Sequence, residues 1–353
     1  MAVTARAYSY FLNFIKPAGT SRGVLLQKES HFILLSDGEK SGIGECGLLR
    51  GLSYDDRPNY VSKLNEFCDL VNSGTAISDL DLNDWPSINF GFEIAGKSLK
   101  AENPFLLFDN DFSRGTAGIP INGLIWMGSA DQMKAEVAAK LNAGFSCLKL
   151  KVGALDFDSE LAILKEIRAA FSKDTLEIRV DANGAFSKEE ATFKLNELAK
   201  FDIHSIEQPI KAGQWEEMRK LCSKNILPIA LDEELIGLQN TNEVLDFIAP
   251  QYAIFKPSFL GGWEATQQWI LACENRQIGW WITSALESSI GLNAIAQFTA
   301  IHKNIIPQGL GTGALYDNNF DSPLEVKSGF LNFRSTFSWE LSDVLRNFEK
   351  TAF

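Results

Sequence analysis

The amino-acid sequence predicts an α/β chain: a modified TIM barrel of (β/α)7β form, with an α+β capping domain built from the N-terminal region and the C-terminal tail. Three observations predict it. From about residue 119 onward short apolar runs alternate with longer segments of helical period, the pattern of a parallel sheet with helical crossovers. The runs number eight, which suits a closed barrel better than an open sheet. Before residue 119 that alternation is missing, so the first third of the chain reads as a separate unit.

The elements follow in order. Residues 30–48, SHFILLSDGEKSGIGECGL, read as two strands around the turn Ser36, Asp37, Gly38, and residues 58–100 read as helical with breaks at Gly74 and Pro86. The eight barrel runs are INGLIWM (121–127), CLKLKV (147–152), LEIRVD (176–181), HSIEQP (204–209), PIALDE (228–233), YAIFKP (252–257), GWWITS (279–284) and IPQGLG (306–311). The last is the weakest, because it is poor in β-branched residues. Between them, segments such as 130–144, 158–171 and 187–201 place apolar residues three and four apart, and several open on Ser or Asp, good N-caps. Residues 327–345 alternate again as a strand would. The expected division is 1–118 for the cap, 119–325 for the barrel, and 326–353 for a C-terminal segment packing back on the cap.

Composition bounds the function. Hydrophobic residues make up 45% and charged residues 22% of the 353, enough apolar content to bury a core. A net charge of −12 repels phosphate backbones and anionic lipid, so neither nucleic acid nor a membrane is an expected partner. No window approaches 18 apolar residues and the N-terminus lacks a signal-peptide pattern, so the chain reads as soluble and cytoplasmic. Five scattered cysteines without a CxxC argue against a disulfide framework or a thiolate zinc site. With three histidines, carboxylates and lysines must carry any chemistry.

Catalytic groups of a parallel barrel sit at the C-terminal ends of its strands. The second run ends in Lys149 and Lys151, the third in Asp181, the fourth in Glu207, the fifth in Asp232 and the sixth in Lys256. Lys149 and Lys151 are two apart and share a face, opposite Leu148, Leu150 and Val152. A lone Lys-x-Lys is ordinarily a solvated edge, but here neighbouring strands bring carboxylates to the same rim. Three carboxylates meeting there would repel in a low dielectric, and a divalent cation resolves the conflict. Oxygen donors without His or Cys favour Mg²⁺, with Mn²⁺ as a substitute, over Zn²⁺.

The ordered motifs KLKVG, VDANGAF, IEQP, LDEE and FKPSFLGG resemble those of the enolase superfamily, in its muconate-lactonizing subgroup. GIGECGLLRGLS (42–53), SALESSIGLNAIAQFTA (284–300) and QGLGTGALYDN (308–318) are most similar to the branch that dehydrates 2-succinyl-6-hydroxy-2,4-cyclohexadiene-1-carboxylate in menaquinone biosynthesis. The resemblance implies that Asp181, Glu207 and Asp232 hold Mg²⁺, which binds a substrate carboxylate and stabilises an enediolate. It implies Lys151 as the base, its basicity tuned by Lys149 and the metal, with Lys256 as the cation on the opposite face. Asn183 is expected to hydrogen-bond near the metal and Glu233 to partner a lysine or the metal. Ser284 and the segment Leu286, Glu287, Ser288 are expected to receive the succinyl arm. Arg22, in a loop able to close over the site, is expected to attract an anionic substrate. Trp280 and Trp281 are expected in the core. LDEE, where a serine often follows DE, and Gly184 and Phe186 in VDANGAF depart from the family pattern without removing a ligand or lysine. A racemase of N-succinylamino acids or a dipeptide epimerase is the alternative of the same superfamily. The partner is a small carboxylate, and the oligomeric state is not readable.

Overall fold

The computed structural model describes residues 2–20, 23–126, 129–153 and 155–350. Strands β1 (Thr4–Thr20), β2 (Gly23–Ser36) and β3 (Ser41–Glu45) form an antiparallel sheet in that order. The turn between β2 and β3 is the one the sequence predicts: Asp37 Oδ1 accepts the amides of Glu39 and Lys40 at 2.9 and 2.7 Å, and Gly38 takes φ +92°. The sequence pattern predicts no element over β1. Its faces explain why: Tyr10, Leu12 and Phe14 are buried while Phe11 and Ile15 are exposed, so apolar residues lie on both sides and the alternation is blurred.

Helices α1 (Tyr60–Asn72) and α2 (Pro86–Lys100) follow, separated by Gly74 at φ +99°. Pro86 opens α2 instead of breaking a helix, in the first turn where its missing N–H costs nothing, and Asp55 accepts the amide and hydroxyl of Ser87 at 2.9 and 2.7 Å. Helix α2 lies close on β3 because Gly44 faces it. A Cβ there would collide with the Gly91 carbonyl oxygen.

After β4 (Ile119–Pro120) come β5 (Gly123–Ile125), α3 (Ala130–Asn142), β6 (Cys147–Lys151), α4 (Phe157–Ala170), β7 (Glu177–Asp181), α5 (Lys188–Ala199), β8 (Ser205–Glu207), α6 (Trp215–Lys224), β9 (Ile229–Leu231), α7 (Thr241–Ile248), β10 (Tyr252–Phe255), α8 (Pro257–Leu260), α9 (Trp263–Glu274), β11 (Gly279–Ile282) and α10 (Ser289–Ile301). Strands β5 to β11 form one parallel sheet in chain order. The eighth predicted run makes no ladder. Instead Gln308 bridges Ile121 and Gly309 bridges Thr283, joining the two edges of the sheet into a ring. Pro307 lacks an N–H and Gly309 and Gly311 lack side chains to pack, which is why only single bridges form. The barrel closes on these.

The tail differs from its expected strand. Residues 324–333 form a hairpin, β12 (Leu324–Lys327) and β13 (Phe330–Phe333), with β13 pairing β4, and the chain then turns into α11 (Leu341–Lys350). Val344 and Phe348 of α11 join Tyr10, Leu12 and Phe32 in one buried cluster, and the Phe348 ring stacks on Tyr8 at 4.9 Å. Helical spacing of Leu341, Val344, Leu345 and Phe348 overrides the apparent alternation. The main core lies between barrel strands and helices. Inside the barrel Ala230, Ile254 and Trp281 fill the floor, with the Arg179 guanidinium 4.3 Å from the Trp281 ring, which leaves the open end at the strand C-termini. Trp280 and Trp281 are both core residues.

Candidate active site

Register brings the predicted groups to one level. Lys151 pairs with Asp181 across β6 and β7, Asp181 pairs with Glu207 across β7 and β8, and Asp232 directly follows β9. On β6 the burial supports the sidedness argued from sequence: Leu148 and Leu150 pack into the core while the lysines turn inward. Lys256 arrives from the end of β10, where Pro257 stops the strand and starts α8.

The charges interlock. Lys149 Nζ donates to Glu207 Oε2 at 2.8 Å and lies 3.3 Å from Asp181 Oδ2. Lys151 Nζ donates to Asp181 Oδ2 at 2.5 Å and to Asn183 Oδ1 at 2.6 Å. Lys256 donates to both oxygens of Asp232. Asn183 sits at φ +43°, donates its backbone amide to Asp181 Oδ1 at 3.0 Å and its side-chain amide to Glu233 Oε1 at 2.8 Å. Burial works against both Lys149 and Lys256 ammoniums. It is outweighed for Lys149 by Glu207, Asp181 and Asp232, and for Lys256 by Asp232, Glu233 and Glu207, so both are held above the ordinary lysine range.

The expected meeting of three carboxylates at one point is not what these side chains do. Among the described residues no three His, Cys, Asp or Glu side chains close on a single centre, because each carboxylate is drawn onto an ammonium. The donor set nevertheless fits a hard divalent cation. Its atoms are oxygens, Asp181, Glu207 and Asp232 are at most 4% exposed on adjoining strands, and Glu233 Oε2 is buried without a hydrogen-bond partner. Four carboxylates face three ammoniums here, leaving negative charge for a cation to meet.

These groups open into a cavity of about 140 Å³. Lys149, Lys151, Lys256, Asn183, Glu207, Asp232 and Glu233 line one side, and Leu49, Leu52, Leu124, Trp126, Leu286 and Leu315 give the other an apolar wall. Asp181 lies beneath the lysines, fully buried. Of the predicted arm-binding residues, Ser284 and Leu286 line the cavity. Glu287 and Ser288 do not: both are fully buried behind it, Glu287 accepting from Ser258 Oγ at 2.8 Å and from the Ala285 amide at 2.6 Å. The loop turns at Leu286 (φ +64°), which sends the next two side chains inward. Arg22 lies outside the described residues. Sequence reasoning missed Asn122, Lys140 and Thr312 in the lining. Asn122, a polar residue inside the first apolar run, was the available signal; Lys140, on a helix, offered none.

Comparison with known proteins agrees with this fold. Residues 132–336 match the family described as Enolase C-terminal domain-like. The chain is 45% identical to o-succinylbenzoate synthase of Desulfotalea psychrophila, across 91% of this chain and 96% of that one. It superposes on the crystal structure of MenC from Desulfotalea psychrophila with a TM-score of 0.84 at 41% identity, covering 94% of this chain and all of the other. The muconate lactonizing enzyme of Pseudomonas putida shares the fold, with a TM-score of 0.78 at 20% identity over 93% of each chain. On these grounds the chain belongs to the Enolase C-terminal domain-like family.

Proposed function

We propose that this chain is a carbon–oxygen lyase that dehydrates 2-succinyl-6-hydroxy-2,4-cyclohexadiene-1-carboxylate to o-succinylbenzoate, the aromatic acid on the route to menaquinone. The observation that carries the reading is that Lys151 and Lys256, from β6 and β10, reach one cavity across a row of carboxylates. The 45% identity to a synthase of this activity supports the choice of substrate.

Asp181, Glu207 and Asp232 hold Mg²⁺ in this reading, with Mn²⁺ as the expected substitute. When bound, the cation supplies positive charge to the substrate carboxylate, where electron density collects as the α-proton leaves. Lys151, as the free amine, takes that proton from the carbon bearing the carboxylate, breaking the C–H bond. The electron pair forms the new ring double bond as the C–O bond to the hydroxyl breaks, and Lys151 returns the proton to the departing hydroxyl as water. One base acting twice makes the elimination syn. Lys149 bridges Asp181 and Glu207 and keeps cationic charge beside Lys151. Lys256 faces the planar anion from the other side, and Asn183, bonded to both Lys151 and Glu233, fixes the base. Ser284 and Leu286 receive the succinyl arm, and the apolar wall excludes water.

A dipeptide epimerase needs an anion to grip an ammonium group. The carboxylates lining the cavity among the described residues are Glu207, Asp232 and Glu233, all at the lysine rim, and Asp317 is exposed elsewhere. That favours an uncharged or anionic arm. Incubation with Mg²⁺ and the cyclohexadiene carboxylate should give the aromatic ultraviolet absorbance of the product. No product, together with racemisation of an N-succinylamino acid, would replace the synthase with the racemase.

A further inference from the structure

We propose that Glu45, a residue of the β1–β3 sheet that touches no part of the cavity, is a positioning residue for it, fixing the loop between β11 and α10. The proposal rests on the reading above only in taking that cavity as the place of turnover. Glu45 ends β3 and is fully buried. Its two oxygens accept the Ser288 amide at 3.0 Å each, the Ser288 hydroxyl at 2.5 Å and the Gly291 amide at 3.0 Å. The Ser288 and Gly291 amides stand at the start of α10, where Ser288 Oγ takes the Ile290 amide and Asn319 Oδ1 the Ser289 amide, so a carboxylate 243 residues away in sequence completes the cap of this barrel helix and complements its dipole. Gly291 is small of necessity, since a Cβ there would press on Glu45 and Glu287. On its far side Glu45 accepts from Ser30 Oγ at 2.9 Å and lies 3.8 Å from the Lys28 ammonium, itself buried.

What is capped leads straight to the cavity wall. Ser284, Ala285 and Leu286 line it. Leu286 holds φ +64°, a conformation that costs a non-glycine residue energy and persists only where its surroundings fix it. Its surroundings include Glu45 on the helix side, the Tyr316 hydroxyl, which donates to the Leu286 carbonyl at 2.8 Å, and Glu287, which accepts the Ala285 amide. Without the Glu45 carboxylate the Ser288 and Gly291 amides lose their acceptor, and the wall loses the restraint that ties it to the β1–β3 sheet.

The test uses Glu45→Gln, which brings amide donors to a place already crowded with donors, and the charge-balanced double variant Lys28→Met/Glu45→Gln. Hydrogen exchange over residues 284–291 should accelerate at least about tenfold in both, while amides of β6 to β8 keep wild-type protection. With the cyclohexadiene carboxylate, KM should rise about tenfold with kcat within about threefold, as expected when binding that does not change along the reaction is lost. The double variant, with no unpaired Lys28 charge, should recover part of the lost melting temperature and keep the raised KM. Unchanged exchange in a folded Glu45→Gln, or recovery of KM together with melting temperature in the double variant, would overturn the proposal by making Glu45 a charge partner of Lys28 alone. If Glu45→Gln does not fold, Glu45→Asp, which keeps the charge and withdraws it by one methylene, is read in the same way. A wild-type chain inert towards the substrate defeats the functional reading, and the exchange measurement still decides the role of Glu45.

Discussion

Glu287→Gln should make the chain less sensitive to pH between 4.5 and about 7. Glu287, in the loop between β11 and α10, is buried against Ser258 of α8. Burial pushes its carboxyl up, Lys28 draws it down and Glu45 pushes it further up, leaving it at about 7 against 4.5 for an ordinary glutamate. Between those values the folded chain keeps a proton that the unfolded chain has lost. The stability is therefore fully present below pH 4.5 and declines as pH rises through 7. At about 1.4 kcal/mol per pH unit the whole interval amounts to roughly 3 kcal/mol, of which roughly 2.5 falls between pH 5 and 8. Glutamine stays neutral throughout and keeps both bonds, its oxygen accepting the Ala285 amide and its nitrogen donating to Ser258 Oγ. Urea unfolding of the two proteins at pH 5 and pH 8, followed by tryptophan fluorescence, measures the difference directly, because other titrating groups cancel. The variant should gain roughly 2.5 kcal/mol on wild type between the two pH values. A difference that stays constant with pH means Glu287 is ionised in the folded chain, and the burial argument fails.

Lys151→Ala and Lys256→Ala should each lower turnover by about 10³-fold or more with circular dichroism unchanged, because the proposed mechanism takes the first as base and the second as the cation facing the anion; a near-wild-type rate in either removes the lysine mechanism. Chelation with EDTA should abolish turnover, and added Mg²⁺ should restore it, as read by product absorbance. Gly44→Ala should destabilise the chain by about 3 kcal/mol, since its methyl would strike the α2 backbone at Gly91, and the fall in melting temperature measures it.

Much of the barrel was legible because its strands are buried on both sides and its helices on one, so period and run length separate them. Lys149 to Lys256 could be placed at one rim from residue order alone, since a parallel barrel puts every strand end on the same face. What the sequence hid has physical reasons. Strand β1 carries apolar residues on both faces; the tail mixes a hairpin with a helix whose first apolar residue follows Trp339 closely; and the eighth run closes the ring through backbone bridges that need no side-chain signature. Glu287 and Ser288 could not be told from cavity residues, because a single left-handed residue, Leu286, decides which way the loop's side chains face.

The same distinction separates chemistry from support in this protein. Lys149 and Lys256 are kept charged although burial disfavours it, and burying ions costs several kcal/mol each unless partners compensate. A barrel that only needed to stand could fill this space with leucine, as it fills the layer around Ala230 and Ile254 with apolar side chains. Glu45, Lys28 and Glu287 are equally buried, but Lys28 pairs with Glu45, the three bond hydroxyls of β2 and α8 and amides around the β11–α10 loop, and none of them opens into the cavity. In the proposed reading one cluster spends burial on groups that face substrate, the other on holding the cavity wall. Substitutions in the first should therefore lower kcat and those in the second should raise KM, a division that kinetics of Lys256→Ala beside Glu45→Gln would expose in a single experiment.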